Sequence, residues 1–263
     1  MPPSNYSAVC CAALLALALP TTAAAQDDVI STDRPDFVES SNVVGKGRLQ
    51  IETSLAFDST RDGAGRARAT ATPTLLRLGV ADDVELRLET DGRSRQWGGG
   101  GPVVRGMADL SAGVKWHLRD GDEAGRAALA VLAHLDLPTG ARALRADGAR
   151  PSLRVVAEWE LPGDMSLGLM PGLASERNAV GRRFTSALVG VVVGKELTPA
   201  WRSFVELSAP RIARGRDGGT QLSLDLGAAY LVNRQCQIDA AVSRGLNRNS
   251  ADYSVTVGLS VKL

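Results

Sequence analysis

The chain has 263 residues, with 30 basic and 29 acidic side chains and a net charge of +1. That balance offers no bulk attraction for nucleic acid, and two histidines and three cysteines leave few ligands for a metal centre. No apolar run reaches the about 20 residues a helical membrane span needs, so a helical membrane protein is excluded as well.

The first feature in chain order is an unbroken apolar stretch over residues 8–19, followed by Pro20 and then Thr21-Thr22-Ala23-Ala24-Ala25. A short apolar core ending in small residues has the form of a secretory signal peptide, here residues 1–25, cleaved after Ala25. Residues 1–7 depart from that form in having no Lys or Arg. Cys10 and Cys11 would leave with the signal, so the exported chain would keep only Cys236 and form no intramolecular disulfide.

Residues 26–46 do not alternate and read as an extended N-terminal segment, a candidate plug on the periplasmic side. From residue 47 to 263 the dominant period is two: Leu49, Ile51, Thr53, Leu55 and Phe57 alternate with Arg48, Gln50, Glu52, Ser54 and Asp58. About twelve such segments follow one another, near 48–58, 68–80, 84–90, 109–118, 126–137, 152–161, 165–174, 183–196, 201–209, 220–231, 235–246 and 252–263. Most approach the about 9 to 11 residues of a tilted membrane strand. The fold class is all-β, a single antiparallel transmembrane β-barrel of about twelve strands.

Three patterns favour a membrane barrel over a soluble sandwich. Short turns such as Ala81-Asp82-Asp83 and Pro162-Gly163-Asp164 alternate with long connections rich in glycine and arginine, as periplasmic turns alternate with outer loops. Trp116, Trp159, Trp201 and Tyr230 fall at one set of strand ends, and Phe57, Phe184 and Tyr253 at the other, as two aromatic girdles; only the phase of Phe184 is unclear. Charge is polarised: the outer loops, taken as 59–68, 91–108, 138–152, 175–183, 210–219 and 245–252, sum to +10 and the inner turns to −4. A closed barrel also pairs every backbone group, which lipid requires. The last strand ends on Leu263 rather than the aromatic that commonly closes such chains for the assembly machinery.

Catalysis finds little support. His117 and His134 share the polar phase of neighbouring strands, but a turn near Asp122 would separate them by seven positions, roughly 20 Å at ~3.3 Å per residue. His134 and Asp136 form a local pair without a serine tied to them. No catalytic residue, metal or cofactor is implied, and a lipid or ester hydrolase is the remotest reading.

The polar phase offers the lumen-lining candidates Arg48, Glu52, Glu85, Arg87, Lys115, His134, Arg154, Glu158, Arg202 and Glu206, with both signs interleaved. Such a surface either lines an aqueous channel or fills the barrel with salt bridges. Arginine outnumbers lysine 26 to 4, and guanidinium groups suit phosphate and carboxylate. Expected partners are outer-membrane lipid, the outer-membrane assembly machinery and a small-molecule solute, with no nucleic acid.

The segment Thr32-Asp33-Arg34-Pro35-Asp36-Phe37-Val38-Glu39-Ser40, followed by Gly45-Lys46-Gly47-Arg48-Leu49-Gln50, resembles the start of the family described as the MetA-pathway of phenol degradation. The resemblance runs on through Leu78-Gly79-Val80-Ala81-Asp82-Asp83, Gly106-Met107-Ala108-Asp109-Leu110 and Leu135-Asp136-Leu137-Pro138-Thr139-Gly140. It implies an outer-membrane transporter of hydrophobic or aromatic compounds. Asp33, Arg34, Pro35 and Asp36 place an arginine between two carboxylates, with a proline fixing a non-helical path. Arg34 is expected to pair with an acidic lumen residue. The leading function is thus a passive channel or porin-like transporter for small hydrophobic, aromatic or anionic solutes in the bacterial outer membrane, against a plugged structural or adhesive barrel.

Overall fold

The structure is a computed structural model and describes residues 29–263 except 64, 123 and 179. The signal peptide over 1–25 lies outside the described residues. Fifteen strands form one antiparallel sheet: β1 (Leu49–Asp62), β2 (Gly65–Ala71), β3 (Thr74–Gly79), β4 (Val84–Thr90), β5 (Arg93–Gly98), β6 (Val104–Met107), β7 (Leu110–Arg119), β8 (Ala128–Leu137), β9 (Arg150–Leu161), β10 (Met165–Arg177), β11 (Arg183–Thr198), β12 (Trp201–Ile212), β13 (Gln221–Asn233), β14 (Cys236–Gly245) and β15 (Tyr253–Lys262). β15 closes on β1, from Gln50 opposite Lys262 to Ser59 opposite Tyr253. The ring β1, β3, β4 and β7 to β15 is a closed twelve-stranded barrel.

The three extra strands are the outer halves of interrupted ones. β2 with β3, β4 with β5 and β6 with β7 each form one path broken at the same height, at Thr72 and Pro73, Asp91 and Gly92, and Ala108 and Asp109. Pro73 has no N–H to give the ladder. Gly92 sits at φ 63°, and a Cβ there would lie 2.2 Å from the Thr72 carbonyl oxygen. Single bonds bridge the break, Thr72 N–H to Asp91 O at 3.0 Å and Ala108 N–H to Gly92 O at 2.8 Å, so backbone polar groups remain paired. The stretches 59–68 and 91–108, expected as loops, are therefore mostly strand. Their arginine and glycine content reads as loop because it lacks apolar residues, yet these hairpins need none, standing beyond the apolar band.

Alternation sorts the two faces. Leu55, Leu86, Val114, Leu153, Val205, Leu226 and Val257 point away from the lumen and are exposed, while Gln50, Arg77, Glu85 and Lys115 on the opposite phase are 0% exposed. This is the pattern of a sheet solvated by lipid outside and polar inside. Trp116 is exposed and donates from Nε1 to Asp83 at 2.9 Å; Trp201 packs tilted against Tyr230 with centroids 4.7 Å apart. Phe184 shares the inward phase of Ser186 and Leu188, which removes it from the outer girdle. Trp97, on β5, stands beside Phe57 at 6.5 Å instead.

Candidate functional site

An extended segment with no ladder of its own must still satisfy its N–H groups. Inside the barrel, residues 29–46 find their acceptors in wall carboxylates. Asp33 N–H donates to Glu52 at 3.1 Å, Phe37 and Val38 N–H to Glu206 at 2.7 Å each, Ser41 N–H to Glu158 at 2.6 Å, and Val44 N–H to Glu85 at 3.0 Å. Hydrogen bonds to charged groups are worth about 1.5–3 kcal/mol each. Wall donors take the segment's carbonyls in turn: Arg77 reaches Ser31 O at 2.9 Å and Asn42 O at 2.8 Å, and Lys115 reaches Ser40 O at 2.8 Å.

The side chains of the segment complete the charge balance of the wall. Asp33 accepts from Lys115 at 2.8 Å and Arg87 at 2.6 Å, with Arg77 at 3.5 Å. Glu39 takes Arg87 at 2.8 Å and Arg154. Across the lumen Arg34 reaches Asp239 at 3.1 Å, and Asp36 stands 3.4 Å from Arg202. Burial pushes the Asp33 carboxyl up, but Arg77, Lys115 and Arg87 outweigh it and hold it well below the ordinary carboxylate range. Burial raises Asp36, which Arg202 offsets only in part.

The opposite side of the lumen is apolar, a feature the strand pattern hides. Ala130, Leu132, Val156, Met170, Leu188, Val192 and Phe204 point inward from β8 to β12 and pack on Val38, with Phe37 beside them. Both faces of β10 and β11 carry apolar residues for this reason. Gly190 makes the contact possible: a Cβ there would lie 2.6 Å from Val38 Cγ2. Gly258 does the same for Arg34, whose Nε would stand 2.7 Å from an added Cβ. The segment thus has a charged side and an apolar side, each matched to its wall.

Eight of the ten lumen candidates contact this segment, and His134 is linked to it through Glu89 and Arg87. Arg48, half-buried just before β1, joins no ion pair among the described residues. His134 pairs with Glu89 Oε1 at 2.9 Å rather than with Asp136, which meets Arg150 at 3.2 Å. Glu89 lies on β4, two strands from β8, and His134 reaches it across Gly113 of the intervening β7, where a Cβ would lie 2.3 Å from its ring. His117 is opposite Ala130, four positions from His134 rather than seven, roughly 13 Å at ~3.3 Å per residue. Its Nδ1 lies 2.9 Å from Ser41 O. Arg77, which joins Asp33, Glu52 and Glu85, escaped the sequence reading; an arginine inside the apolar run of β3, Thr74–Gly79, was its signal. Gln50 and Gln237 were missed too, and bind Ser31 O and Thr32 Oγ1 at 2.8 Å.

Two cavities flank the segment. One of about 900 Å³ lies toward the short turns, lined by Ile30, Asp36, Glu158, Glu160, Asp164 and Arg202. The other, about 530 Å³, lies toward the long connections, lined by Arg34, Phe37, Glu89, Asp109, Leu144 and Arg150. No group of three or more His, Cys, Asp or Glu among the described residues is arranged for a metal ion.

A closed twelve-stranded barrel with a lipid-facing apolar wall defines an outer-membrane barrel protein. The model of the family described as MetA-pathway of phenol degradation matches residues 32–263, and the chain belongs to that family. Among solved structures, it is similar to the COG4313 outer membrane channel from Pseudomonas putida F1, with TM-score 0.63, 14% identity, 88% of this chain covered and 99% of that one. The NanC porin follows at TM-score 0.53 and 11% identity, covering 82% and 100%. The KdgM porin, solved in complex with disordered oligogalacturonate, gives 0.51 and 8%, covering 81% and 98%. At these identities the likeness is one of fold. No curated protein matches the chain.

Proposed function

We propose that the protein is a passive outer-membrane channel for small solutes, held shut in this conformation by its own residues 29–46. The observation that carries the reading is the capture of the segment between two cavities by buried ion pairs and by Phe37 and Val38. A hold built chiefly from charge-assisted bonds gives way when water or a solute competes for those charges. The channel and porin neighbours, alike in fold, agree with a pore. The solutes taken are small and hydrophobic, aromatic or anionic, and export uses the signal over residues 1–25.

Single-channel conductance of the refolded protein in a planar bilayer tests this, comparing the chain from residue 26 onward with one lacking 26–46. Steady current that rises on deletion supports the channel. Silence from both, with heat-modifiable β structure intact, sinks it and leaves a closed structural or adhesive barrel.

A further inference from the structure

Above the apolar band, the outer hairpins turn six arginines to one face of the sheet. Register sets Arg61 opposite Arg66 across β1 and β2, and Arg95 opposite Arg105 across β5 and β6. Arg68 stands opposite Trp97, and Arg93 shares the phase of Arg95. All share the face of Phe57, because Phe57 is opposite Thr70 and Thr70 is opposite Arg95. This is the phase of Leu55, which meets lipid below. Asp58, on the alternate phase of β1, turns toward the lumen side.

All six arginines are exposed, and among the described residues none is ion-paired with a carboxylate. Like charges directly opposite each other on a sheet are destabilising, so two such pairs on one face call for an anion between them. Trp97 packs near Phe57 at 6.5 Å and lies under Arg95, 5.2 Å from guanidinium to ring centroid. A tryptophan with one apolar and one wet side marks the membrane interface. Arg61 lies four residues past Phe57, roughly 13 Å along the strand at ~3.3 Å per residue, which strand tilt brings to headgroup depth.

We propose that this face binds the phosphate groups of anionic outer-leaflet lipid. Guanidinium forks take phosphate oxygens two at a time, and a lipid carrying two phosphates spans neighbouring arginines while its acyl chains run down the apolar wall at Leu55 and Phe57. The face lies outside the lumen, so the inference stands or falls apart from the channel reading.

Native mass spectrometry of the refolded protein in detergent, titrated with bisphosphorylated lipid A, tests it. R68E/R95E/R105E is expected to weaken binding by about tenfold or more, a difference of roughly 1.4 kcal/mol. R68Q/R95Q/R105Q should weaken it in the same direction and decides the matter if the glutamate variant does not fold. The charge-matched control R142E/R145E/R248E, altering exposed arginines on other connections, should bind as the parent does. Dephosphorylated lipid A should not bind the face, and inorganic phosphate should not displace the lipid. Undiminished binding by the glutamine variant, equal loss in the control, or equal binding of the dephosphorylated lipid would overturn the proposal. Displacement by inorganic phosphate would overturn the lipid as its source.

Discussion

Asp33 and Lys115, 82 positions apart in the chain, meet in the lumen at 2.8 Å between Oδ1 and Nζ, both buried. Removing one partner of a buried pair leaves the other uncompensated, at a cost of about 3–5 kcal/mol. Asp33→Asn is therefore expected to loosen residues 29–46 while the barrel remains folded. Protease cutting within the segment, and a rise in single-channel current, measure the release. An unchanged cutting pattern would show that Asp33 does not hold the segment.

The same carboxyl sets a pH dependence. Its folded value lies below the ordinary 3.8, so it contributes stability that is fully present above that value and is lost as pH falls through the folded value. The difference in segment protection between the parent and Asp33→Asn should be complete at neutral pH and shrink as the pH drops below the ordinary carboxylate range. A difference that stays constant into strong acid would contradict the ion-pair account.

Arg77 is 0% exposed and joins Glu85 at 2.8 Å to Glu52 at 3.0 Å. Arg77→Met approximates the volume and removes the charge, stranding the buried Glu52 carboxylate and leaving Glu85 to Arg87 at 2.9 Å. Thermal unfolding in detergent should move down by an amount matching about 3–5 kcal/mol. Arg126→Ala, which breaks the exposed pair with Asp122, should leave the midpoint where it is, because water screens that pair.

Gly190→Val places a side chain where Val38 and Phe37 now pack. Overpacking of this kind typically costs about 1–3 kcal/mol, and the segment, having no ladder to the wall, is the part that yields. Conductance should rise with the β content of the barrel unchanged by circular dichroism. A lost barrel with no rise would show that the wall, not the segment, is the weaker element.

Strand existence was legible because period-two alternation needs only local sequence: β7, β12 and β15 read directly from Val114 and Trp116, Val205 and Leu207, and Val257 and Leu259. The outer hairpins were not, since β5 and β6 stand beyond the apolar band and lose the alternation of hydropathy that marks a strand. The charged lumen was visible as a phase, but its apolar half was not. Leu132, Met170 and Leu188 look lipid-facing until something apolar is found to sit inside.

The sequence by itself determined a closed membrane barrel, the lipid-facing side of clearly alternating strands such as β7, β12 and β15, and the presence of an extended, charged segment ahead of it. Those follow from rules that act within one strand or one turn. Only the tertiary structure decided which wall residues hold that segment, that Arg77 rather than Arg48 joins the lumen ion network, and that three strands break at one height. Those depend on register around the closed ring, where a one-residue slip would turn every side chain to the other face. Closure brings Asp33 to Lys115 and Arg34 to Asp239 through pairings among distant strands that no local pattern records.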